Sequence, residues 1–263
     1  MSKTRQFLRK LLNVTATQCW ALVSKPWKIP MIFSISPLRS HSEAICALFP
    51  DLPLSIVEEC RLEFLRNHAF FTELNKNLVE KRHRRINSEE REFLYMAVRF
   101  TKPHIVFETG VFDGESSAVI LQALHDNGHG VLVSIDLPAT KMDLKGTTRP
   151  IKEVTLPPRC QPGWVIPDYL RGRHRLVLGD SKELLGPLFK EYPTIDVFFH
   201  DSLHTFDHQY FEYKTAYPHL SEGGFLLSDD IFWSPAFHKF CREHKKKYVC
   251  VGNFIYGFGA VKK

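Results

Sequence analysis

The chain has 263 residues, 44% hydrophobic and 24% charged, ordinary globular proportions that suit one main domain with an extension. Its six cysteines are scattered without a CxxC pair, which argues against a disulfide framework or a structural zinc and for a reducing, cytoplasmic setting. The net charge of +6 is local, because seven Lys and Arg precede the first acid, Glu43, and the remainder is close to neutral.

Residues 1–53 read as a basic, proline-containing arm. Lys3, Arg5, Arg9, Lys10, Lys25, Lys28 and Arg39 can meet anionic lipid, nucleic acid or a transit receptor, or form a solvated or locally packed tail. The packed or solvated reading is preferred; a weak contact of residues 1–42 with an anionic membrane surface stays open, and nucleic acid is not expected. Lys25 and Lys28 interrupt the apolar stretch from Trp20 to Phe33, so it is no clean membrane span, and Asn13, Thr15, Thr17 and Gln18 dilute any signal peptide. Five prolines between Pro26 and Pro53 predict an irregular connector, with regular structure beginning after it.

Residues 54–103 read as an accessory helical layer. Ile56, Val57, Cys60, Leu62 and Leu65 recur at helical spacing within a helix predicted from Leu54 to Asn77, and Ser88-Glu-Glu-Arg91 opens a second that runs to Phe100. The basic run from Lys81 to Arg85 between them can meet phosphates, but flanked by Glu80 and Glu89 it reads as a solvated turn.

From His104 to the end, strand-length apolar runs alternate with helical segments, the order of a parallel sheet. The predicted strands are Ile105 to Glu108, Val131 to Ile135, Arg175 to Leu178, Asp196 to Phe199, Phe225 to Leu227, Tyr248 to Val251 and Ile255 to Val261. The last two are separated by a short turn and form an antiparallel hairpin at one edge. The fold class is therefore α/β, a doubly wound, mostly parallel seven-stranded Rossmann-like sheet with an N-terminal helical extension. Such sheets bind ligands beyond the carboxyl ends of their strands, so the residues after each run matter most.

The first strand runs into Glu108-Thr-Gly-Val-Phe-Asp-Gly-Glu-Ser-Ser117, a glycine-bearing turn before a helix. Gly110 and Gly114 allow a tight turn and close approach to a ligand, with Ser116 a further polar contact at the helix start. Phe112 breaks the GxGxxG pattern, and Glu108 would repel a pyrophosphate. The second strand ends in Asp136, where a carboxylate can accept both hydroxyls of a ribose. The third ends in Gly179-Asp180-Ser181, where a polar side chain can receive an adenine amino group, although either residue can instead cap the next helix. Three strand ends carrying these groups in order point to a nucleoside-bearing cofactor.

The fourth strand ends in His200-Asp201-Ser202-Leu203-His204 and the fifth in Ser228-Asp229-Asp230. Adjacent strands lie about 4.8 Å apart, so Asp201, Asp229 and Asp230 should meet at one edge of the cleft. Carboxylates that close repel unless protons or a cation intervene, and Mg2+ is the natural neutraliser. The plainer alternative is that Asp229 caps the following segment and Asp201 only positions a loop. His204, three residues beyond Asp201, is the first choice as general base, with His200 and His208 as competitors.

At these residues the sequence resembles the class I methyltransferases related to macrocin-type O-methyltransferases and the cephalosporin hydroxylase-like proteins. The likeness runs from about Ile56 to Val261 through Glu92-Phe-Leu-Tyr95, Glu108-Thr-Gly-Val111, Gly163-Trp-Val-Ile-Pro167, Leu178-Gly-Asp-Ser181, His200-Asp-Ser202 with His204-Thr205, Gly223-Gly-Phe225 with Ser228-Asp-Asp230, and Tyr256-Gly-Phe-Gly259. The resemblance implies S-adenosylmethionine bound at Glu108, Gly110, Gly114, Asp136 and Asp180, and magnesium bound at Asp201, Asp229 and Asp230. It implies transfer of a methyl group to a hydroxyl of a small polar acceptor such as a sugar or secondary metabolite. Glu108 suits the cationic methionine part of that cofactor. Phe112 departs from the wider superfamily, and residues 1–53 fall outside the match.

The proline-rich stretch from Pro138 to Arg173 has too little periodicity for a helix and reads as a lid or an anchored loop, with Trp164 able to serve either role. Two other functions share parts of this pattern. An NAD-type oxidoreductase would use the same sheet and ribose carboxylate, but Phe112 and the acidic cluster weigh against it. A non-catalytic adaptor with a degenerate cofactor fold would be expected to lack strand-end acids that are all present here. An oligomer is compatible with the sequence.

Overall fold

A computed structural model describes residues 40–78, 88–138, 156–157, 159–252 and 257–263. The basic arm before Ser40, the Lys81 to Arg85 run and most of the Pro138 to Pro158 stretch lie outside the described residues.

Four helices precede the sheet: α1 (His41–Leu48), α2 (Leu54–Leu65), α3 (His68–Leu78) and α4 (Ser88–Thr101). Helix α1 falls inside the stretch expected to be irregular. No proline lies between Pro37 and Pro50, and Ser40 and Glu43 form a reciprocal capping box that satisfies two N-terminal amides. The single helix expected from Leu54 to Asn77 is two, because the Asn67 side chain accepts the Phe70 N–H at 3.0 Å and caps a new helix.

The sheet follows as β1 (Ile105–Thr109), β2 (Val131–Asp136), β3 (His174–Leu178), β4 (Ile195–His200), β5 (Leu220–Ser228), β6 (Tyr248–Gly252) and β7 (Gly257–Lys262). Its order is β3-β2-β1-β4-β5-β7-β6. Strands β1 to β5 are parallel, and β7 runs antiparallel to both β5 and β6. Helices α5 (Glu115–Asn127), α6 (Ser181–Glu191), α7 (Phe206–Ala216) and α8 (Ala236–Glu243) join β1 to β2, β3 to β4, β4 to β5 and β5 to β6, and the described part of the β2–β3 connection ends in a 3-10 helix (Asp168–Arg173).

Strand alternation divides the core. Val106, Leu132, Val197, Phe199, Phe225 and Leu227 are buried with residues of α1 to α5 on one face, whereas Phe107, Val133, Ile135, Phe198 and Leu226 are buried with α6, α7 and α8 on the other. The leading helices thus share one core with the sheet. Phe49, just after α1, packs 5.2 Å from Phe225 of β5, and Glu92 of α4 accepts Arg61 of α2 at 2.6 Å and faces His41 of α1 at 3.2 Å. No described helix is long and apolar enough to cross a membrane.

Candidate active site

One row of residues continues the ladders past the strand ends. Gly110 N–H donates to Ile135 O (2.9 Å), Gly179 N–H to Asp136 O (2.8 Å), Asp201 N–H to Thr109 O (2.8 Å) and Asp229 N–H to His200 O (2.9 Å). These bonds set the expected site residues of five strands side by side at the carboxyl edge.

Gly110 has φ +83°, and a Cβ there would lie 2.2 Å from Asp201 O. Gly114 has φ +94°, and its Cβ would lie 2.6 Å from Gly163 Cα. Both glycines are therefore demanded by the chain's own backbone, one by the β4–α7 loop and one by the segment before β3. Phe112 between them also adopts a left-handed φ of +51°. Asp136 holds this turn: its Oδ2 accepts Val111 N–H at 3.0 Å and Phe112 N–H at 2.7 Å, and its Oδ1 accepts Leu137 N–H at 2.7 Å. Burial raises the Asp136 pKa, and these amides act against that rise. A carboxylate has about four lone-pair sites, so Oδ1 retains capacity for a ligand hydroxyl.

Glu108 is fully buried beneath the turn. It accepts Ser116 Oγ at 2.8 Å, Ser117 Oγ at 2.5 Å and Ser134 Oγ at 2.8 Å, and burial pushes its pKa up to about 7. The Ser116 hydroxyl is committed to Glu108, so both residues shape the site from below. On β3's side, exposed Asp180 is the N-cap of α6, accepting Lys182 N–H at 2.9 Å, while buried Ser181 points to α7.

The segment before β3 is anchored. Trp164 Nε1 donates to Asp113 Oδ1 at 2.7 Å, Val165 N–H to Asp113 O at 3.1 Å and Gly163 N–H to Phe112 O at 2.9 Å. Of the two roles open to Trp164, these bonds select the anchor.

At β4 and β5, ligand atoms of Asp201, His204 and Asp229 all lie within 4.8 Å of one another. His204 Nε2 is 3.8 Å from Asp201 Oδ1. Burial and the neighbouring Asp229 and Asp230 raise the Asp201 pKa well above the usual range. Asp230, at a left-handed φ of +49°, adds its charge but is outside the convergent set, which takes in His204 instead. Asp201 and Asp229, with burial and like charge driving the Asp201 carboxyl toward protonation, offer oxygen ligands that fit a hard divalent ion, and the His204 imidazole lies beside them.

The residue missed in the sequence is Glu212 of α7. This fully buried carboxylate accepts Thr109 Oγ1 (2.6 Å), Ser181 Oγ (2.5 Å), Ser202 Oγ (3.0 Å), His200 Nδ1 (2.5 Å) and His208 Nε2 (2.8 Å). Burial alone would raise its pKa, but the charge and hydrogen bonds of His200 and His208 outweigh that and hold it far below the carboxylate range. The available signal was the four-residue spacing of His204, His208 and Glu212, which stacks the last two on one helix face. His200 and His208, weighed above as rival bases, are buried in this network.

Residues 107–231 match the family described as a methyltransferase domain. No curated protein matches the sequence. Among solved structures, an O-methyltransferase from Bacillus cereus in complex with SAH superposes with a TM-score of 0.52 at 12% identity, covering 80% of this chain and 97% of that one. A putative caffeoyl-CoA O-methyltransferase from Staphylococcus aureus gives 0.55 at 11%, covering 77% and 96%. SAH-bound methyltransferase PaMTH1 from Podospora anserina gives 0.50 at 14%, covering 74% and 88%. At these identities the structural likenesses establish the fold, and the domain match sets methyl transfer ahead of the oxidoreductase alternative.

Proposed function

We propose that this chain, whose residues 107–231 match the methyltransferase-domain family, transfers the methyl group of S-adenosylmethionine to a hydroxyl of a small polar acceptor, with a divalent cation such as Mg2+ assisting. The observation that carries the reading is the convergence of Asp201, His204 and Asp229 beside the glycine turn, within one row of strand ends.

S-adenosylmethionine supplies a methyl group on a sulfonium, already a good leaving group, so the protein's task is placement of an activated nucleophile. Asp136 would take the ribose hydroxyls through its remaining lone pairs, the turn around Gly110 and Gly114 would approach the methionine part, and Asp180 would border the adenine end, with the Ser181 hydroxyl given to Glu212. In its ionised form Glu108 would set a negative potential beneath the turn, favouring the cationic part of the cofactor. Asp201 and Asp229, with Asp230 adding charge, would hold the cation, which would lower the pKa of a bound hydroxyl. His204 Nε2, 3.8 Å from Asp201, is placed to accept the hydroxyl proton.

Calorimetric titration of the full chain with S-adenosylmethionine and S-adenosylhomocysteine, against NAD, tests this. Micromolar binding of the adenosyl ligands, lost in Asp136→Ala, is expected. Preference for NAD, or no adenosyl binding, overturns the reading.

A further inference from the structure

Glu212 joins four parts of the site, and its connections converge on one loop. Helix α7 starts at Phe206, so residues 201–205 are all that links it to β4, and this short link carries both Asp201 and His204. The residues on either side of Asp201 both bind Glu212: His200 Nδ1 donates to Oε2 at 2.5 Å and Ser202 Oγ to Oε1 at 3.0 Å. Thr109 Oγ1 reaches Oε2 at 2.6 Å from the end of β1, whose backbone carbonyl accepts the Asp201 N–H. Ser181 at the start of α6 and His208 one turn earlier on α7 complete the shell. Five donors on a carboxylate with about four lone-pair sites leave none for a ligand.

We propose that Glu212 is a positioning residue, which holds the Asp201 to His204 loop against the end of β1 by binding the side chains on both sides of Asp201. A buried carboxylate carries a desolvation penalty of several kcal/mol unless paired and hydrogen-bonded, so its five donors are bound to it as firmly as it is to them. One carboxylate thus ties the loop to the ends of β1 and β4 and to the start of α6. The proposal gives that loop the role assigned to it above and rests on that reading only for the consequence, since the contact pattern itself is independent of cofactor and metal.

Hydrogen–deuterium exchange of the full-length protein and its Glu212→Gln variant tests the proposal. Glutamine keeps one acceptor oxygen but turns an amide group with two N–H donors toward donors, which loses bonds on one side of the hub. Amides of residues 201–205 are expected to exchange at least tenfold faster, while those of 106–108 and 132–135 in β1 and β2 keep their rates. Unchanged exchange in 201–205 overturns the proposal. An equal rise in β1 and β2 also overturns it, because that marks general destabilisation. Ser202→Ala, which removes one donor and leaves the carboxylate in place, covers the case of a Gln variant that does not fold; a severalfold acceleration confined to 201–205 supports the proposal and none refutes it. Titration of the wild type with S-adenosylhomocysteine reads the methyltransferase assignment separately, since absence of binding there leaves the exchange pattern unaffected.

Discussion

Replacing Gly110 with alanine separates the two demands on that position. A non-glycine residue in left-handed backbone costs about 1–2 kcal/mol. The new Cβ would also lie 2.2 Å from Asp201 O, 2.5 Å from Asp201 C and 2.8 Å from Ser202 Cα, all backbone atoms, so no side chain can rotate out of its way. The loop must retreat by about an ångström against its bonds to Thr109 and Glu212, and overpacking of this kind adds roughly 1–3 kcal/mol. Together the two terms come to about 3 kcal/mol or more, a fall in Tm of roughly 6–12 °C for a chain of this size. Gly128→Ala is the matched control: φ is +78° there as well, but nothing lies within 4 Å of the added Cβ, which leaves the conformational term alone. Scanning calorimetry of both variants gives the difference, and binding of S-adenosylhomocysteine by Gly110→Ala reports the displaced loop. Equal destabilisation of the two variants would refute the close-approach argument.

Glu108 gives a pH dependence of defined sign. Its pKa is about 7 in the folded chain against 4.5 for an ordinary glutamate, so between those values the folded form holds a proton that the unfolded form has released. Stability attributable to Glu108 therefore falls as pH rises through that window, by about 3 kcal/mol in all, and Glu108→Gln should flatten this part of the Tm-against-pH curve. Burial lowers the His174 pKa to about 4, which contributes the opposite slope between about 4 and 6.5, so the comparison must be variant against wild type. Trp164→Phe removes the donor to buried Asp113 and should cost about 1–3 kcal/mol in denaturant unfolding; a neutral result would show that the indole N–H does not anchor the segment. Mg2+ at about a hundred times its Kd should stabilise the wild type by about 2.7 kcal/mol and leave Asp201→Asn unshifted in the same thermal scan; equal shifts would place the ion elsewhere.

The sheet was legible because apolar runs of strand length carry their own boundaries: six of the seven predicted strands coincide with the observed ones at their core residues, and the described part of the last does too. The helices before it were less so, since proline counts masked the Ser40–Glu43 capping box and a periodic pattern ran over the Asn67 cap. Strand-end residues could be named from the same periodicity that ended the strands. Their partners could not, because the bonds that occupy Asp136, Ser116 and Ser181 depend on which turn or helix lies against each strand, and Glu212 comes from mid-helix where no strand-end rule looks.

Asp136, Glu108, Glu212 and Asp201 differ in how the chain offsets their charge. Asp136 has three backbone amides, Glu108 three hydroxyls, and Glu212 two imidazoles with three hydroxyls. Burial still raises the first two and only Glu212 is held low, whereas for Asp201 burial, Asp229, Asp230 and Glu108 all drive the carboxyl toward the protonated form. The proposed cation would offset this, because each added negative neighbour makes the ionised form more expensive. Glu212 is sealed and Asp201 partly exposed, which suits the proposed division of one as a strut for the loop and the other as a ligand to the cation.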